Sequence, residues 1–446
     1  MKISLGSLLA WAIVVLVTAP APAEPPKLGS SVCPANDECL QTAYRKSIDA
    51  AKTGLYMEAS FGLLADLGID SPENIKDPDV FDQWSQVWSA MTGAAANNHR
   101  KAASRHVTPE ELSAIEKAQG RPAITELVAR AKLTRVVILD EDHLTPQDRA
   151  FGLEVARALR PLGYRILAVE ALTRDRDDHS VREKMDALSK DGYVRRSSGY
   201  YLNDPVFADF LRQAMAMGYH LVSYESAGFT DEKTEEAAFV RREQEQAENI
   251  IHRALTPNPD AKVLIYCGFH HAAKKELVND TVKGRLYMAA RLMSMTGIDP
   301  LVIDQAEFAE AMYRPDADIA AIASNKARSE SVVLMNAAQP LVVGLLAGAV
   351  DLQVVHPRGK VLHGRPGWLA SLGRRPVEIP ASLQPASGTR LIQAFLVDEA
   401  EDAIPIDQVL VTAGQPVPKL MLPDKRVRYG YQDNVGAFSH VAGPLR

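Results

Sequence analysis

Val136-Val137-Ile138-Leu139-Asp140-Glu141-Asp142-His143 is the stretch whose reading decides the fold. Its first four residues are apolar, mostly β-branched and show no polar alternation. That is how a parallel strand buried on both faces reads. Acids and a histidine begin where the apolar run stops. The same pattern recurs downstream. Ile166-Leu167-Ala168-Val169 closes on Glu170, Leu221-Val222-Ser223-Tyr224 closes on Glu225, and Val263-Leu264-Ile265-Tyr266-Cys267 closes on Gly268-Phe269-His270-His271. Helix-like sequence separates the runs, which predicts right-handed crossovers and a doubly wound, mostly parallel sheet in an α/β protein. Ligands of such sheets bind outside the carboxyl ends of the strands, where these acids and imidazoles converge.

Between the runs, Thr145-Pro146 starts a helix reaching about residue 162, and residues 173–191 read as a short helix and loop. Helices follow at about 205–218, 234–255 and 280–296, the second ended by Thr256-Pro257-Asn258-Pro259, with a last strand at 300–304. Working outward, residues 1–23 read as a signal peptide and 24–130 as a helical N-terminal region. In the latter, Ser71-Pro72 and Thr108-Pro109 place a capping hydroxyl before a proline. Trp84 and Trp88 share a helical face as packing anchors. Residues 131–324 form the α/β domain that carries the site. Residues 325–446 read as a small, mostly-β C-terminal domain, with strand-like runs between Gly and Pro turns.

The 446 residues are 46% hydrophobic and 24% charged, ordinary for a globular protein. A net charge of −6 and the lack of a basic block argue against a nucleic-acid partner. Lys2, the apolar stretch from Ile3 to Val17 and Ala21-Pro22-Ala23 have the order of a secretory signal with a small-residue cleavage site. The expectation is an exported protein, periplasmic or secreted, with a mature chain beginning near Glu24. The apolar stretch is shorter than the roughly 18 residues of a membrane span, so no stable span is expected after cleavage. In an oxidising compartment Cys33 and Cys39 are expected to form a disulfide. Cys267, at the end of an apolar strand, reads as a buried, unreactive thiol.

The candidate site residues each admit a plain structural reading beside the chemical one. Asp140-Glu141-Asp142 can simply populate a turn, but a carboxylate beside His143 is what a general base needs. Glycine before the His270-His271 doublet permits close approach of a ligand. Only one of the two imidazoles is expected to point into the crevice. Glu170 follows a buried strand, so its carboxylate needs an Arg, a His, a metal or a hydrogen-bond network. Glu225 has the same need.

These motifs resemble the superfamily of erythromycin esterase-like, ChaN-like and TIKI (TraB)-like proteins over about residues 130–306. Gly268-Phe269-His270-His271 is similar to its second G-x-x-H, with His271 in the functional position. Glu141 and His143 match the first, G-E-x-H, with Asp140 where the pattern has glycine. Glu170 fits the glutamate between them. The resemblance implies a His/Glu pocket on a doubly wound sheet. It divides between ester hydrolysis with a histidine base, metal-dependent proteolysis, and non-catalytic haem or iron binding.

The expectation is an exported hydrolase acting on a small-molecule or peptide ester or amide. Its site comprises Glu141, His143, Glu170 and His271. His143 activates water, Glu141 or Glu170 fixes its tautomer, and His271 holds the scissile group or shares a divalent metal with His143 and Glu170. Arg149 clamps an anionic group or pairs with Glu154 or another helix acid. Tyr200, Tyr201, Glu225 and His270 line the substrate pocket. The alternative is a non-catalytic protein that binds haem or a metal through His143 or His271, and a third reading is a scaffold whose site has lost activity. No G-x-S-x-G elbow and no H-E-x-x-H occurs, which disfavours a serine-elbow or zincin mechanism. Nothing in the sequence sets the oligomeric state.

Overall fold

The computed structural model describes residues 37–95, 108–199, 201–228, 232–277, 283–309, 319–433 and 437–441. The expected signal peptide, Cys33 of the expected disulfide and Tyr200 lie outside them. The core is one mixed sheet. Its strands are β1 (Gln119–Pro122), β2 (Val136–Glu141), β3 (Tyr164–Val169), β4 (His220–Ser223), β5 (Lys262–Gly268), β6 (Leu301–Asp304), β7 (Val332–Asn336), β8 (Gln339–Pro340) and β9 (Leu352–Val355). They lie in the order β1-β7-β9-β6-β2-β5-β3-β4, with β8 paired to β7. Every pairing from β9 through β4 is parallel, and β7 and β1 extend that edge antiparallel. The expected α/β class holds.

The continuous apolar runs are explained by two cores. Val137, Leu139, Leu167, Leu264 and Tyr266 pack on one face of the sheet. Val136, Ile138, Ile166, Val263 and Ile265 pack on the other. Successive strand residues point to opposite faces, so a strand with both faces covered has no place for polar alternation. Helix Pro146–Leu159 returns the chain from β2 to β3, and helix Pro205–Ala216 precedes β4. Glu235–Ile250 precedes β5 and continues as a π-helical turn through Leu255.

Two local capping signals were not kept, at Thr145 and at Ser71, which precedes a single 3₁₀ turn and makes no side-chain cap. Thr108 forms a full capping box with Glu111. Thr145 does not cap its helix. Its hydroxyl donates instead to Asp142 Oδ2 at 3.0 Å, and Asp142 N donates to Asp148 Oδ2 at 2.9 Å. Trp84 and Trp88 stack at 5.3 Å as packing anchors. The charged stretch after β3 forms a full helix, Asp178–Asp191.

Strands β7, β8 and β9 follow residue 325 yet belong to the central sheet. Farther on, a four-stranded antiparallel sheet joins Asp407–Thr412, Thr389–Leu396, Val427–Asp433 and Ala437–Val441 in that order. It has its own core around Ile392, Val409 and Tyr429. The N-terminal helices pack on this second sheet. Met57 N donates to Gln432 Oε1 at 3.1 Å, and Gln408 Nε2 donates to the Ala90 carbonyl at 2.8 Å. Among the described residues no helix is long and apolar enough to cross a membrane.

Candidate functional site at the carboxyl ends of β2, β5, β3 and β4

Neighbouring strands end in register. Glu141 at the end of β2 is the parallel partner of Gly268 at the end of β5, and Val169 on β3 is the partner of Tyr266. That register brings Glu141, His143, Glu170 and Gly268 onto one crevice of about 160 Å³, walled by Ala171, Tyr201, Phe207 and Tyr266.

His143 is held on three sides. Its Nδ1 lies 2.8 Å from Glu141 Oε1. Its ring stacks on Tyr201 at a centroid distance of 4.4 Å. Its third neighbour is the backbone at Gly268, where a β-carbon would fall 2.3 Å from His143 Cε1 and 2.4 Å from Nε2. No side chain but hydrogen fits there. Gly268 has extended backbone, with φ −91°, so the glycine serves proximity and not a special turn.

Glu141 is buried and saturated. Arg149 Nε donates to Oε2 at 2.8 Å, Arg149 Nη2 to Oε1 at 3.2 Å, and the Tyr266 hydroxyl to Oε2 at 2.8 Å. Burial pushes the Glu141 carboxyl up, but the Arg149 guanidinium and His143 overcome it and hold it down at about 2. An ionised carboxylate must accept from His143. The Nδ1 therefore carries hydrogen, and Nε2 is turned toward Gly268.

Arg149 neither pairs with Glu154 nor faces outward. It is buried, donates to the His143 carbonyl at 2.9 Å, and is paired with Asp204 as well as Glu141. Its guanidinium is engaged by Glu141, Asp204 and the His143 carbonyl rather than held out as an anion clamp. Asp204 also caps helix Pro205–Ala216, so one carboxylate ties that helix to the site.

A second cluster completes the far side. Glu170 Oε2 accepts from Gly268 N at 2.6 Å, and its Oε1 accepts from Arg242 Nη2 at 2.8 Å. His271 Nε2 stands 3.6 Å from Glu170 Oε1, and His271 Nδ1 contacts the fully buried Glu243 at 2.8 Å. Burial lowers the His271 pKa, yet Glu243 and Glu170 together drive it upward, which favours the imidazolium. Glu225 accepts from Arg242 Nη2 at 2.6 Å and from Gln246 at 3.1 Å. Burial raises its carboxyl, Arg242 more than reverses that, and the net direction is down. The two clusters meet at Gly268, with the His143 ring over its α-carbon and Glu170 on its amide.

Of the remaining expectations, His270 turns its ring toward Tyr287, 5.8 Å away and edge-on, leaving His271 as the imidazole beside Glu170. Cys267 is a free, buried thiol whose pKa burial pushes well up. Asp140, where the resemblance has glycine, lies within β2, fully buried, and its Oδ1 accepts from Gln305 N at 2.9 Å. Its backbone is not left-handed, so this strand end has no conformational need for glycine.

Tyr266, Asp204, Arg242 and Glu243 are site residues that sequence reasoning missed. Tyr266 and Asp204 sit in plain view at a strand end and a helix cap. Arg242 and Glu243 lie mid-helix, where charge reads as solvated surface.

The donor set was tested for the metal that the resemblance implies. Among the described residues no three His, Cys, Asp or Glu side chains converge to hold an ion, and Glu141 and Glu170 are already engaged by arginine, tyrosine and backbone donors. The arrangement does not fit a metal centre. For haem, the crevice has no open room as it stands, against the roughly 300–1,000 Å³ of ordinary small-molecule sites.

No family model and no curated protein matches the chain. Solved structures give distant likenesses. The haem-binding ChaN of Campylobacter jejuni is 11% identical, covering 43% of this chain and 91% of its own, with a TM-score of 0.30. The type III effector HopBA1 is 15% identical, covering 42% and 84%, with a TM-score of 0.28. RRSP, a MARTX toxin effector domain from Vibrio vulnificus, is 14% identical, covering 60% of each chain, with a TM-score of 0.31.

Proposed function

We propose that the chain is a hydrolase of an ester or amide bond, with His143 as general base. The observation that carries this reading is the Glu141–His143 pair. An ionised, buried carboxylate fixes the imidazole tautomer and turns Nε2 toward a residue with no side chain. Glu141 is a positioning residue. Arg149 and Tyr266 keep it charged, and the Tyr201 ring keeps the imidazole plane fixed.

Across Gly268, Glu170 and His271 supply the complementary half. His271, driven toward its cationic form, keeps a positive charge against Glu170, which lines the crevice. Glu170 orients His271 and the Gly268 amide at the same time. The resemblance to erythromycin esterase-like proteins supports the same reading. Export, as the N-terminal sequence suggests, would place the activity outside the cytoplasm.

The test is a panel of ester, peptide and phosphoester substrates offered to purified protein and to His143→Ala. Turnover that His143→Ala reduces by a factor of 10² or more supports a general base. Turnover that is indifferent to His143→Ala refutes it. A visible spectrum recorded with haem examines the binding alternative, since a Soret shift abolished by His271→Ala would favour it.

A further inference from the structure

Away from this crevice, on the β9 side of β2, a wider cleft of about 440 Å³ opens between helix Pro146–Leu159 and residues 328–331 and 356–371. Ser331, immediately before β7, and His356, immediately after β9, both line it. Ser331 Oγ lies 2.8 Å from His356 Nδ1. His356 Nε2 lies 3.1 Å from Gln305 Oε1 and 3.5 Å from Asp148 Oδ1.

The hydrogen positions follow from Gln305. Its amide nitrogen donates to the Asp140 carbonyl at 2.7 Å and to the Asp148 carbonyl at 3.2 Å, so its Oε1 must face His356 as an acceptor. His356 therefore donates from Nε2, and its Nδ1 lone pair accepts the Ser331 hydroxyl. Burial pushes the His356 pKa down to about 4, so the ring is a neutral base at neutral pH. A hydroxyl bonded to a neutral imidazole whose tautomer is fixed from behind is the arrangement of an activated nucleophile.

We propose that Ser331, His356 and Gln305 form a second, serine-based acyl-transfer site in this cleft, taking an ester whose acyl chain carries charged groups. Arg328, Arg358 and Lys360 line the cleft together with Glu154 and Glu330, which suits a chain bearing charges of both signs. Trp368 offers its ring to the apolar part. In the first step Ser331 Oγ attacks the ester carbonyl carbon and its proton passes to His356 Nδ1. As the Oγ–C bond forms and the C–O bond to the leaving alcohol breaks, that proton goes to the departing alkoxide. Water then gives a proton to Nδ1 and its oxygen to the acyl carbon, the acyl carbon–Oγ bond breaks, and the Nδ1 proton passes to the departing Ser331 Oγ. The products are a carboxylic acid and restored Ser331.

A fluorophosphonate reports such a serine directly, since attack at phosphorus expels fluoride and leaves a stable adduct. Incubating the full chain with it and mapping the adduct by peptide mass spectrometry is expected to give one equivalent, on Ser331. Ser331→Ala should abolish the adduct, and His356→Gln should slow its formation at least tenfold. No adduct on native protein, an adduct on another residue, or an unchanged rate in His356→Gln overturns the proposal. If His356→Gln does not fold, the mapped position in the native chain and its loss in Ser331→Ala decide alone. None of these readouts passes through His143 or Glu170, so this site and the one proposed above stand or fall separately.

Discussion

The His143 ring rests on Gly268: any β-carbon at position 268 would lie 2.3 Å from His143 Cε1, inside any real contact distance. Tyr201 and Glu141 hold the ring from its other sides, so it has no easy retreat. Gly268→Ala is therefore expected to displace the imidazole while leaving every titratable group in place. A misplacement of about 1 Å can reduce turnover about 10²-fold. The overpacking should also reduce stability by roughly 1–3 kcal/mol. Steady-state kinetics and thermal melts on one preparation check both, and unchanged turnover would show that His143 does not act from this position.

His143 and Glu170 flank the same glycine, one over its α-carbon and one on its amide. Groups that serve one reacting centre are not additive. His143→Ala and Glu170→Ala should each remove most turnover, with the double change adding little. Additive logarithmic losses would separate them into independent roles.

Glu141 carries the acid sensitivity. Its carboxyl is held at about 2, below the ordinary 4.5, so its contribution to stability is present above about pH 4.5 and is lost as pH falls to about 2. Over that window the loss is on the order of 3 kcal/mol. Glu141→Gln should flatten this limb of the stability curve. At neutral pH the same change should cost about 3–5 kcal/mol, because it removes one of the two carboxylates paired with buried Arg149. Urea melts of both proteins from pH 2 to 7 provide the comparison.

His271 has the opposite sign. Its pKa is raised, so its contribution is complete below its ordinary value of 6.5 and is lost as pH rises through the higher folded value. Glu243→Gln takes away the closest carboxylate and should move the His271 titration downward. NMR titration of the imidazole Cε1–H follows this directly. A midpoint unmoved by Glu243→Gln would show that Glu243 does not hold the proton in place.

The parallel core was legible because burial on both faces leaves a plain mark, an unbroken apolar run such as Val136 to Leu139 that stops at the crevice. The same rule brought Glu141, His143, Glu170 and His271 into consideration, since strand ends in a parallel sheet share one edge. The edge of the sheet was harder to read. β7 and β9 follow residue 325 and look like members of a separate β region. The place of β9 beside β6, and of β7 beside β9, depends on pairing partners that sequence order does not reveal.

Sequence alone thus determined which strand ends carry acids and imidazoles, because buried parallel strands leave unbroken apolar runs and their ends lie at one edge. Only the tertiary structure decided what each of them does there. Arg149 reads as a surface clamp on its helix, yet it is buried between Glu141 and Asp204, a residue 55 positions later. Glu243 reads as solvated, yet it is fully buried against His271. Ser331 and His356 are 25 residues apart and carry no motif. They meet because β7 and β9 pair antiparallel, which sets the start of one strand beside the end of the other. Charge partnership is a property of distance in space, and a long-range contact has no local signature in the chain.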